Sequence, residues 1–397
     1  MNSLLAINSP QLSRFKVIMA GISALILTVG IARFAYTPFL PLMLEQAGLS
    51  TLAGGWLATF NYVGYLLGVI LIAWISDLQL KFRLYRLNLV LAVLSTIAMG
   101  MTTNLVLWSV LRLIAGLSST AGIILAAGFV MSWLKRHQFK GNLGLHFSGL
   151  GLGIAIPGLA IVWMNHQLDW SMQWIVMGFF GILFFIPAWR WMPAPVRQSQ
   201  QGDNRFKPPS RSWMNLMIAA YFCAGVGYVV SATFIVAILE HMPALAGWGD
   251  WIWVILGLTA VPSCVIWDKL SNRLGETSAL VMSYSIMLVS IVIPALSNSL
   301  WFNMLGAILF GGTFAGVVSL MLVFIGHKFP HNPAKAMARL TISYGVAQIT
   351  APAIAGYIST HTGSYSGALW LAAVCMLVGI ACLWRIHHTT AIEEKTT

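Results

Sequence analysis

The sequence predicts an all-α integral membrane protein of twelve transmembrane helices, built as two pseudo-symmetric six-helix bundles with both termini in the cytoplasm. Three observations carry that expectation. Of 397 residues, 58% are hydrophobic and 8% charged, where an ordinary soluble chain has roughly a quarter charged. Lysines and arginines cluster between alternate apolar runs, and the two halves repeat one another at an offset of 195 that slips by four where Asp77 meets Asp268.

A bilayer core of about 30 Å takes about 20 residues of helix. Apolar stretches of that kind run near 17–43, 52–75, 84–102, 105–133, 142–164 and 171–191, then near 213–239, 247–267, 278–297, 300–327, 335–359 and 364–386. The first follows Arg14 and Lys16. It far exceeds the roughly 7–15-residue core of a secretory signal, so it is expected to stay as a membrane helix. Only Thr103 and Asn104 part the third stretch from the fourth.

Cytoplasmic flanks of membrane helices collect Lys and Arg. With the N-terminus inside, twenty of the twenty-two basic residues fall on that side. They are Arg14 and Lys16; Lys81, Arg83 and Arg86; Lys135, Arg136 and Lys140; Arg190, Arg197, Arg205, Lys207 and Arg211; Lys269 and Arg273; Lys328, Lys335 and Arg339; and Arg385 and Lys395. The opposite loops hold Glu45, Asp169, Glu240 and Asp250 and no basic residue. A wrong span count would invert the later loops and erase this pattern.

The same distribution disposes of other classes. A net charge of +12 spread over seven flanks is not the basic stripe of a nucleic-acid-binding protein. Cys223, Cys264, Cys375 and Cys382 all lie in apolar runs without metal-ligand spacing, and read as buried small residues. No phosphate-binding Gly-x4-Gly-Lys-Ser/Thr loop is present, so the chain is not expected to hydrolyse ATP. The nine histidines are scattered and form no catalytic or metal cluster. Neither an enzyme nor a resident cofactor is expected.

The polar segment Met192 to Trp213 is rich in Pro, Gln, Ser and Arg and reads as a flexible linker. It divides the chain into an N-terminal bundle (1–191), a cytoplasmic linker (192–212) and a C-terminal bundle with a short tail (213–397). "GIARFAYTPFLPLMLE" from Gly30 lies over "GVGYVVSATFIVAILE" from Gly225 at an offset of 195. The same offset matches Gly116 with Gly311, Lys140 with Lys335, Ser148 with Ser343 and Pro157 with Pro352. Repeated halves put a substrate site between them near mid-membrane, open to each side in turn.

With the stretches "GIARFAYTPFLPLM", "YFCAGVGYVVSATF" and "ARLTISYGVAQITAPAIAG", the chain resembles transporters of the major facilitator superfamily, in particular the YbfB/YjiJ-like branch of bacterial carriers. The resemblance covers the whole chain and implies a monomeric, multi-pass secondary transporter of the bacterial inner membrane. "AWISDLQLKFR" retains Asp77 and Arg83 of the superfamily's gate motif, and "CVIWDKLSNR" retains Asp268, Lys269 and Arg273. By resemblance, these residues latch the cytoplasmic gate; the alternative is a pair of solvated turns. "RLIAG" at Arg112 resembles an element linked to proton coupling. Pro157-Gly158 resembles the antiporter glycine motif with its two residues reversed, and glycines that let helices approach explain it equally.

Two basic residues remain, and both lie inside spans: Arg33 and Arg112. A charge at the bilayer centre costs roughly 2.5–3.5 kcal/mol on insertion scales, and guanidinium does not deprotonate. No Asp or Glu lies within the hydrocarbon part of a span, so neither arginine has an evident counter-ion. Both are expected at similar depth, roughly 10–15 Å from the outer surface. Arg33 and Arg112 are therefore candidates to bind the anionic group of a small organic substrate. The alternatives are that they brace helix carbonyls or serve proton coupling. Tyr36, one turn from Arg33, Tyr228, its counterpart at the 195 offset, and Tyr344 and Gln348 are candidates to complete the pocket. Arg112, Glu45, Glu240 and His146 are candidates for proton coupling. The expected function is proton-linked transport of a small organic anion; the alternative is proton-linked efflux of sugars or amphipathic drugs.

Overall fold

A computed structural model describes residues 10–139, 144–165, 167–195, 209–329 and 333–396. Residues 196–208 of the expected linker, with Arg197, Arg205 and Lys207, lie outside the described residues, as does Lys140. The described chain is helical, with no strand.

Apolar runs become long helices because in lipid every backbone group must be satisfied within its own segment. In the first half these are α1 (Ser13–Gln46), α2 (Thr51–Trp74), α3 (Leu78–Met99), α4 (Leu105–Leu134), α5 (Gly144–Met164) and α6 (Trp170–Trp191). The second half continues with α7 (Arg211–Glu240), then α8, a pair Gly249–Ala260 and Ser263–Leu274 bent by 45°. Pro262 lies at that bend, where its missing N–H interrupts the helical ladder. The remainder are α9 (Glu276–Leu296), α10 (Leu300–Lys328), α11 (Pro333–Thr362) and α12 (Ser366–His388). Ten of these helices are long and apolar enough to cross a membrane, and the bent α8 makes eleven. The other, α11, is long enough at 30 residues but carries Thr341, Ser343, Tyr344, Gln348 and Thr350. It packs against α2 and α7, so protein rather than lipid meets much of its polar surface.

The repeat is visible in the packing. A Cβ on Gly116 of α4 would run into the carbonyl of Asn61 on α2, and one on Gly311 of α10 into the carbonyl of Leu256 on α8. The two contacts are related residue for residue by the offset of 195.

One local irregularity shapes the centre of α1. Residues Ile26–Phe34 form a π-helix, with the Ala35 amide bonded to the Gly30 carbonyl at 2.9 Å. Pro38 and Pro41 follow within two turns and supply no amide hydrogen to the ladder. The widened turn exposes carbonyls to neighbours: the Ser119 hydroxyl of α4 donates to the Thr28 carbonyl at 3.1 Å. The α4 helix carries its own π segment, Ala121–Ala126, against α1.

The halves pack along α2 with α11 and α5 with α8, and hydrogen bonds join them towards the end of the bundle away from the linker, hereafter the far end. There the Thr37 hydroxyl donates to the Ala232 carbonyl at 2.6 Å, and the Thr59 hydroxyl to the Ile349 carbonyl at 2.8 Å. A Cβ on Gly55 would sit 2.6 Å from the Pro352 carbonyl, so α2 and α11 meet backbone to backbone.

Candidate functional site

Arg33 lies in the π-helical turn of α1 and is 5% exposed. Its guanidinium stands over the rings of Tyr62 and Tyr65, 4.4 and 4.9 Å from their centroids, and 5.7 Å from that of Phe34. Tyr62 and Tyr65 are three apart on α2, so both rings project on one helix face. A cation over such rings in a desolvated site gains about 2 kcal/mol. Aromatic faces offer no lone pair in the guanidinium plane, and Nε is buried without a hydrogen-bond partner.

From the second half, Tyr228 and Tyr344 are close enough to Arg33 to interact with it electrostatically. Tyr228 stacks on Tyr344 and Phe314 with centroids 5.9 and 5.6 Å apart, and Tyr344 on Tyr221 at 4.5 Å. A charged group from the first half thus meets a wall of phenol rings from the second. Gln348, one turn beyond Tyr344 on α11, is 3% exposed and its Oε1 is buried without a partner.

Arg112 is spent differently. Its Nη1 donates to the Ala32 carbonyl at 3.2 Å and its Nε to the Leu57 carbonyl at 3.4 Å. Its guanidinium covers the Tyr36 ring at 4.3 Å, and the Tyr36 hydroxyl donates to the Gly54 carbonyl at 2.8 Å. Asn61 of α2 donates to the Arg112 carbonyl at 3.0 Å. Arg112 and Tyr36 therefore tie α1, α2 and α4 together through protein groups, while Arg33 beside them keeps an unpaired donor.

The remaining candidates lie elsewhere. Asp77 caps α3, its Oδ1 accepting from the Gln79 amide at 2.8 Å. Asp77, Arg83, Asp268, Lys269 and Arg273 are all exposed, and among the described residues no ion pair joins any of them. Glu45 is exposed at the far end of α1. Glu240 at the end of α7 accepts from the Gly247 and Gly249 amides at 2.8 and 2.9 Å, closing the turn into α8. His146 is buried on α5 against Gly21 of α1, away from the Arg33 rings.

The sequence reading did not select Tyr62, Tyr65, Tyr221 or Phe314. The only available signal was the spacing "NYVGYLL" on α2, which a packing face shares.

Comparison with known proteins gives consistent results. A family model described as "Uncharacterised MFS-type transporter YbfB" matches residues 25–383. The "Inner membrane transport protein YajR" of Escherichia coli (strain K12) is 30% identical over 138 residues, 34% of this chain and 30% of that protein. The "Probable galactarate/D-glucarate transporter GudP" of Bacillus subtilis (strain 168) is 22% identical over 378 residues, covering 82% of this chain and 81% of that protein. Among solved structures, the nucleoside transporter NupG superposes with a TM-score of 0.73 at 11% identity, over 94% of this chain and 99% of that one. That likeness concerns the fold.

Proposed function

The chain belongs to the major facilitator superfamily, in the family of YbfB-type transporters, and from that premise we propose that it moves a small organic anion across the bacterial inner membrane by proton-linked alternating access. It is a multi-pass membrane transporter and not an enzyme. The observation that carries the anion reading is the unpaired Nε of Arg33, buried among Tyr62, Tyr65 and the phenol wall of α7 and α11. A carboxylate accepts two parallel hydrogen bonds from guanidinium, and Tyr228, Tyr344 and Gln348 offer polar atoms to the rest of the molecule. A hydroxylated carboxylate suits such a set. One relative carries a sugar-acid transporter's name, which agrees with this chemistry.

In this reading Arg33 is the anion ligand, while Arg112 and Tyr36 hold the helices that present it. Asp77 and Arg83, with Asp268, Lys269 and Arg273, serve as gate latches at the linker end, pairing when that end closes. The working unit is a monomer, each chain holding its own central site.

A second reading, efflux of sugars or amphipathic compounds, draws on the aromatic stack of Tyr221, Tyr344, Tyr228 and Phe314. Such a stack suits flat or apolar solutes without an anion.

Thermal stability of the purified protein against a panel of sugar acids, simple carboxylates, neutral sugars and cationic dyes separates the two. A ligand that binds only the folded state raises the melting temperature. Sugar acids are expected to stabilise wild type and not Arg33→Gln. Equal stabilisation of both proteins by neutral or cationic compounds alone would put efflux in its place.

A further inference from the structure

At the far end, a cavity of about 500 Å³ lies between the two halves. The ends of α1, α5, α7 and α8 bound it, and Glu45, Asn165, Glu240, His241, Asp250 and Trp251 are among its lining residues. No lysine or arginine lines it.

Asn165 follows the last residue of α5 in the first half, and Asp250 sits in the first turn of α8 in the second. The Asn165 amide nitrogen donates to Asp250 Oδ2 across the boundary between them. The other two oxygens of this pair, Asp250 Oδ1 and Asn165 Oδ1, are both buried and both lack a hydrogen-bond partner. Buried polar atoms are nearly always paired, so each exception asks for a reason. Here both orphans are acceptors: an ionised carboxylate and an amide oxygen carry no hydrogen to share. One proton on Asp250 removes both vacancies, because the acid O–H donates to Asn165 Oδ1 while the carbonyl oxygen keeps the amide bond. The result is a reciprocal pair of hydrogen bonds joining the halves.

We propose that Asp250 and Asn165 form the proton-binding site of this carrier, a proton taken from solvent through the far-end cavity onto the Asp250 carboxyl locking that end closed. The other titratable groups around the cavity are already engaged or exposed. Glu240, on α7, accepts from the Gly247 and Gly249 amides through both oxygens, which also uses the first amide of the α8 helix. His241 bonds through Nδ1 to the Ala237 carbonyl at 2.7 Å. Glu45, on α1, is exposed. Loss of the proton leaves both buried oxygens without a partner, in a cavity lined by Glu240 and by no lysine or arginine. Opening the far end to water relieves this arrangement. By linkage, opening releases the proton and closing takes it up.

The inference deepens the proton-linked reading above and rests on it for its role in transport. The proton itself is tested without any substrate, by difference infrared spectroscopy of the full-length protein stepped from mildly acidic to alkaline buffer. Wild type is expected to show a protonated-carboxyl stretch that disappears towards alkaline buffer and is absent from Asp250→Asn throughout. In Asn165→Leu the stretch moves to higher wavenumber, because the acid proton has lost its acceptor. A wild-type spectrum without the stretch, or one unchanged in Asp250→Asn, overturns the site. Should Asp250→Asn fail to fold, an unshifted stretch in Asn165→Leu overturns it equally. In proteoliposomes with D-glucarate as probe, Asp250→Asn is expected to keep exchange and lose accumulation driven by a pH gradient. Undiminished accumulation in Asp250→Asn overturns the coupling role. A wild type that shows the stretch yet carries no anion upholds the proton site and sinks the carrier reading instead.

Discussion

The Thr37 hydroxyl of α1 donates to the Ala232 carbonyl of α7 at 2.6 Å, and the two positions are 195 residues apart. Each is the other's counterpart under the repeat, so α1 and α7 meet on the axis that relates the halves. One turn towards the centre, the same relation sets Arg33 opposite Tyr228. This bond is one of few polar ties across the far end, and a gate that opens there has to break it. Thr37→Val keeps the shape and removes the donor, a loss of about 1 kcal/mol. The far-end-open population is then expected to rise about fivefold. Spin labels on Ala47→Cys and Met242→Cys, read as a distance distribution, measure that shift; an unchanged distribution means the bond does not hold the gate.

Arg33 and Arg112 make opposite predictions on substitution. Arg33 has a donor to spare, so Arg33→Gln is expected to weaken carboxylate binding about 10- to 100-fold, the weight of about 1.5–3 kcal/mol for hydrogen bonds to a charged group. Without ligand, its melting temperature is expected to hold or rise, because a buried charge resting on aromatic faces has been removed. Arg33→Lys restores the charge without the planar fork and is expected to recover little binding. Isothermal titration on the three proteins reads all of this directly.

Arg112→Gln is expected to destabilise the apo protein by about 2–4 kcal/mol, through loss of charge-assisted bonds to the Ala32 and Leu57 carbonyls. The ligand affinity of whatever protein remains folded should fall less than in Arg33→Gln. A variant of normal melting temperature with abolished binding would reverse the two roles.

That the two arginines differ was not legible in the sequence, and the reason is geometric. Both are lone cations in apolar runs, and their spacing says only that the depths are similar. What separates them is the π-helical turn of α1, which leaves the Ala32 carbonyl open to Arg112. Pro38 and Pro41 hint at an irregular ladder without saying which carbonyl it frees. The spans, by contrast, were readable because lipid demands long apolar helices, and ten of the helices, or eleven with the bent α8, have that length and apolarity. The offset of 195 was readable because Gly116 and Gly311 each meet a backbone at a distance that admits no side chain. Tyr62 and Tyr65 escaped notice because aromatic residues on an apolar helix look the same whether they line a site or fill a core. The Asn165–Asp250 pair joins residues 85 apart in different halves, and no local pattern announces such a contact.

The last prediction turns on those glycines. Alanine at 116 pushes a methyl group into the Asn61 carbonyl, and alanine at 311 pushes one into the Leu256 carbonyl. Neither obstacle is a flexible side chain, so the helices themselves have to separate. Overpacking of this kind costs about 1–3 kcal/mol, and because the contacts are equivalent under the repeat, the two losses are expected to be similar. Gly128→Ala on α4 and Gly312→Ala on α10 are the controls, since a Cβ at either position meets nothing within 4 Å. Melting temperatures of the four variants should therefore fall into two pairs, Gly116→Ala and Gly311→Ala lowered and Gly128→Ala and Gly312→Ala unchanged. A single sensitive glycine would mean that one half tolerates helix separation and the other does not, and the closely packed half would then be the rigid partner in alternating access.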